Sequence, residues 1–103
     1  MVRNPHRGEV ALGTHTLRLS INGLCAAEAA TGLDTGGLLA GLERGRMTSI
    51  RALLHAALNR PDFTLEDAGD LIQEIGVAEV VKALTEAMVL AFPPAKGTPA
   101  ANP

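Results

Sequence analysis

The sequence predicts an α+β fold that is mostly helical, with an N-terminal two-stranded β-hairpin packed on about five short helices. The single domain covers residues 1–92, and a disordered tail covers 93–103. Three observations predict this. Apolar and polar residues alternate only near the start, in "GEVALGTHTLRLSI", which is the period of a half-buried strand. Beyond that point apolar residues recur at three- and four-residue spacing, between residues that start and stop helices. The end, "PPAKGTPAANP", holds four of the six prolines and no large apolar side chain, a composition that cannot bury enough surface to order itself.

The hairpin strands are expected at about residues 8–13 and 15–20. Val10 and Leu12 alternate with Glu9 and Ala11, and Leu17, Leu19 and Ile21 with Thr16, Arg18 and Ser20. Gly13 and Thr14 sit where a tight turn belongs. A lone ribbon is marginal in water, so its apolar face needs helices against it. Asn22-Gly23 could make a second hairpin turn, but the alanine-rich "LCAAEAATG" after it favours a helix instead. Ser20 or Asn22 is its N-cap and Gly32 its stop.

Asp34 or Thr35 caps a second helix through "GGLLAGLER", ended by Gly45. Its three internal glycines each cost about 1 kcal/mol relative to alanine, so it should be the least stable helix. In "TSIRALLHAALNRP", Ile50, Leu53, Leu54, Ala57 and Leu58 form one buried face, with Thr48 or Ser49 as cap and Pro61 as terminator. In "TLEDAGDLIQEIG", Thr64 and Asp67 form a shortened capping box. Leu65, Ala68, Leu71, Ile72 and Ile75 make its stripe, and Gly76 ends it. The last helix, "VAEVVKALTEAMVLAF", carries Val77, Val80, Val81, Leu84, Met88, Ala91 and Phe92 at helical spacing and stops at Pro93-Pro94.

Composition narrows function. Aromatic residues are 2% of the chain, Phe63 and Phe92 alone, against an apolar share of 47%. Base and sugar binding use aromatic platforms, and a net charge of −2 draws no polyanion. Nucleic acid is therefore not expected as a partner, nor is a small-molecule substrate. Cys25 is the sole cysteine, which removes C-x-x-C zinc and redox signatures. Without a long apolar run or an apolar leader region, no membrane association is expected, and the chain reads as cytoplasmic.

The residues that could carry chemistry have plainer uses. His6, His15 and His55 are the only imidazoles, and a metal trio would require the hairpin to fold onto the middle helix. Cys25 suits a small packed thiol better than a nucleophile. Glu66, Asp67, Asp70 and Glu74 are what the solvent face of an amphipathic helix carries, and Leu71 and Ile72 interrupt any calcium loop. The glycines near 36–45 lack the Lys-Ser/Thr of a phosphate loop. Arg44, Arg46 and Arg51 form the strongest basic cluster outside the N-terminus, read as solvated or intersubunit. No enzyme, metal or cofactor is expected.

One feature points outward. At roughly 100° per residue, Ala83, Ala87 and Leu90, with Val89 at the border, form a second apolar strip on the last helix. It is either a partner-binding surface or the second covered side of a central helix.

The run "NPHRGEV" before a hairpin, Glu28 within "LCAAEAATG", then "LL" and "LERG", then helices containing "LLHAALN" and "TLEDAGDLIQEIG", resembles a family of small phage-like tail proteins. These belong to gene transfer agent and prophage tail clusters and are described as tail tube proteins or tail assembly chaperones. The resemblance spans residues 4 to 92, and its most specific part is the N-P-x-R-G-E-V start together with the helix order. It implies a non-enzymatic tail assembly factor that binds an apolar tail protein, such as the tape measure or tail tube, and self-associates. The alternatives are a permanent structural subunit of the tail and a small DNA-binding or regulatory helical module.

Overall fold

The computed structural model describes residues 8–92. The leading arm with His6 and Arg7, the expected disordered tail and the Pro93-Pro94 stop lie outside the described residues. The chain runs β1 (Val10–Leu12), β2 (His15–Leu17), α1 (Ile21–Thr31), α2 (Thr35–Arg44), α3 (Met47–Leu58), α4 (Leu65–Ile75) and α5 (Val77–Ala91). The fold is α+β: five helices and one two-stranded antiparallel sheet among the described residues.

Val10 pairs with Leu17 and Leu12 with His15, leaving Gly13 and Thr14 as a two-residue turn. Gly13 has φ 61° while Thr14 stays out of the positive region, as in a turn that needs glycine first. The strands are shorter than expected because β2 leaves its partner after Leu17. The Arg18 N–H donates to the Ala57 carbonyl, 2.9 Å away, near the end of α3. Helices leave their last carbonyls without intrahelical partners, and the ribbon supplies one. Leu19 continues into the core beside Val10, Leu12 and Leu17.

Local signals set most helix ends. The Ser20 hydroxyl accepts from the Gly23 N–H (3.0 Å), and Gly32 closes α1 through its N–H to the Glu28 carbonyl. Asp34 accepts from the Gly37 N–H at 2.7 Å, and the Thr35 hydroxyl donates to the Glu28 carboxylate, joining α2 to α1. Gly45 donates to Leu42 and Arg46 to Gly41, a paired closure with Gly45 at φ 78°. Thr64 and Asp67 exchange backbone-to-side-chain hydrogen bonds, each 3.0 Å, in a reciprocal capping box.

The start of α3 departs from expectation. Neither Thr48 nor Ser49 is its cap; the N-cap is Arg46, and no side chain caps the helix. The Gly45-Arg46 closure feeds the chain directly into α3, so Ser49 lies one turn inside and is fully buried. It faces Gly41 of α2. A Cβ built on Gly41 would lie 2.7 Å from the Ser49 Cβ and closer still to its Oγ. The glycine is there because the two helices leave it no side-chain space.

α3 is the central helix, touching α1, α2, α4, α5 and β2. Ile50, Leu53, Leu54, Ala57 and Leu58 are buried as expected, and Ser49, Ala52 and Ala56 bury its other sides. Those small side chains admit neighbours closely: a Cβ on Gly23 of α1 would lie 3.5 Å from that of Ala56. α4 buries Ala68, Leu71 and Ile72, and α5 buries Val80, Ala83, Leu84 and Ala87. Val77 and Phe92, expected on the buried stripe of α5, are exposed at its two ends.

Candidate functional site

The apolar strip on α5 is divided by the fold. Ala83 and Ala87 are 6% and 0% exposed, whereas Val89 is 56% exposed and Leu90 is half-buried against the core. Ala83 and Ala87 are therefore corrected from surface to core. The hairpin, α3 and α4 all pack against α5, and together they cover Ala83 and Ala87. Single-helix periodicity cannot assign the second side, because only tertiary packing decides it. Val89 remains, with Phe92 three residues on and 40% exposed. Phe92 is the C-cap of α5, so these two form one exposed apolar spot at that helix end, while Ile21 and Met47 are exposed at the starts of α1 and α3.

The two described histidines, by contrast, both meet Phe63, a residue given no role in the sequence beyond being one of its two rings. His55 Nε2–H donates to the Phe63 carbonyl at 2.8 Å. The His15 ring meets the Phe63 ring edge-on, with centroids 5.9 Å apart. The Arg60 guanidinium lies over the same ring at 4.8 Å and pairs with Asp62 at 2.8 Å. That hydrogen bond holds the Asp62 carboxyl below the usual carboxylate range. Loop 59–64 is thus clasped to the hairpin and to the end of α3. The nearest sequence signal was the spacing of His55 and Phe63 across the Pro61 break.

Among the described residues, no three His, Cys, Asp or Glu side chains could together hold a metal ion. Cys25, expected as a packed thiol, is instead exposed on α1, on the face turned away from the core. Glu66, Asp70 and Glu74 are exposed on α4, as expected of its solvent face, while Asp67 serves the cap. No helix of the described chain is long and apolar enough to cross a membrane. No protein-family profile, curated protein or solved structure matches this chain. The surface features that stand out among the described residues are the apolar end of α5 and the basic residues around the start of α3. Arg44 and Arg46 are exposed there, and Arg51 is half-buried.

Proposed function

We propose that the protein is a non-enzymatic assembly factor for a phage-like tail of the gene transfer agent type. In this reading it is a tail assembly chaperone that holds an apolar tail protein, such as the tape measure, until tube subunits replace it. The observation that carries the reading is the sequence resemblance over residues 4 to 92, anchored by N-P-x-R-G-E-V and the helix order. Exposed Val89 and Phe92 support it as a contact of modest area, which suits capture followed by release. Self-association belongs to the same reading and is checked by sedimentation.

The test is co-expression with tape-measure and tube proteins, followed by pull-down and by assay of purified particles. A chaperone binds the tape measure and is scarce in particles. Stoichiometric presence in particles would make it a permanent tail subunit, and binding to neither protein would remove the reading. Val89→Glu should weaken capture without unfolding the chain, because Val89 is exposed.

A further inference from the structure

The basic residues at the start of α3 flank two cavities, each of about 220 Å³. One is lined by Arg46, Thr31, Leu33 and Leu65 and the other by Met47, Gly69 and Ile72. Thr48 and Arg51 line both. No acidic side chain lines either, although acids outnumber bases in the chain. The Arg51 Nε is buried and has no hydrogen-bond partner among the described residues. The Arg51 stem passes over Gly69, where a Cβ would lie 3.4 Å from its Cδ, so α4 leaves room for this side chain. Arg46 Nε donates to the Thr48 hydroxyl at 3.3 Å, which sets a second guanidinium beside the cavity.

Arg51 as a whole is half-buried, but an enclosed guanidinium N–H without a partner is costly, and native proteins satisfy most such groups. Arginine's planar fork matches an oxyanion, and the uncapped amides at the start of α3 favour the same charge. We propose that this double cavity binds a carboxylate presented by a partner protein, an Asp or Glu side chain held by Arg51 with Arg46 beside it. The apolar walls, Leu33, Leu65, Met47 and Ile72, take the residues flanking that acid. They suit a peptide better than a phosphodiester, and no aromatic platform for a base lines either cavity.

The full chain, isotope-labelled for NMR, is titrated with a blocked Leu-Glu-Leu tripeptide amide. The Arg51 Nε–H and the Met47 and Thr48 amides should shift saturably, and a Leu-Gln-Leu control should bind about tenfold more weakly or worse. Arg51→Gln should abolish the response, while Arg44→Gln, which lines neither cavity, should keep it. Should Arg51→Gln fail to fold, Arg51→Lys keeps the stem over Gly69 without the fork and should weaken binding. The proposal is overturned by the absence of a saturable shift, by equal binding of Leu-Gln-Leu, or by tighter binding of inorganic phosphate or a single-stranded DNA oligonucleotide.

Discussion

At the crossing of α2 and α3, Gly41 and Ser49 meet with no room for another carbon. At the loop between α3 and α4, a half-buried Phe63 ring is held by polar groups, and Arg60 and Asp62 are 46% and 65% exposed. The first junction is made of close approach and tolerates no added volume. The second is made of several weak, partly wet interactions, any one of which can fail while the others hold. A region poor in side chains can therefore be the less forgiving of the two.

Breaking the tight junction should have the largest effect. Gly41→Ala is expected to destabilise by about 2–3 kcal/mol by overpacking, even though alanine gains about 1 kcal/mol of helix propensity. Urea denaturation measures it, and a neutral result would mean that the helices separate freely. At the loop, Phe63→Ala should cost about 2 kcal/mol, less than a fully buried ring, because it removes the face on which both His15 and Arg60 pack. Ser49→Ala tests the same crossing from the other side. The Ser49 hydroxyl is buried without a partner among the described residues, so its removal should stabilise by about 1 kcal/mol, read as a raised melting temperature.

Gly36→Ala supplies the control for glycine in α2. A Cβ there meets only the Asp34 carboxylate at an ordinary 3.6 Å, so a gain of about 0.5 kcal/mol is expected. The smallest effect belongs to Asp62→Asn, because the Arg60–Asp62 pair is exposed. The sign is fixed by the lowered Asp62 pKa: its contribution is present above the ordinary carboxylate range and is lost as pH falls through the folded-state value. Thermal melts of Asp62→Asn and parent should nearly coincide at pH 7, and any gap should close on acidification.

Elements whose limits are set by adjacent residues were legible in the sequence: the Gly13-Thr14 turn, the Ser20 and Asp34 caps, the Gly32 and Gly45 stops and the Thr64–Asp67 box. These are local hydrogen-bond devices, and residue type specifies them. What was not legible depends on neighbours far along the chain. Ser49 looks like a cap until Gly41 is laid on it, and Ala83 and Ala87 look like surface until the hairpin covers α5. Gly69 carries no local signal of its role, which is to leave space for the Arg51 stem. Of the candidate strip, only Val89 and part of Leu90 kept the exposure that their pattern suggested.

The hydrogen bond from Arg18 to Ala57 has a kinetic consequence. It joins the end of the ribbon to a residue nearly forty positions later, close to where Gly23 of α1 meets Ala56, so ribbon and α1 both dock on the same end of α3 through long loops. A two-stranded ribbon is marginal without helices beneath it, so this is the element expected to lift off first. Hydrogen exchange at the Arg18 amide gauges that opening directly. Where the ribbon lifts without global unfolding, this one proton exchanges ahead of the amides of α3 beneath it.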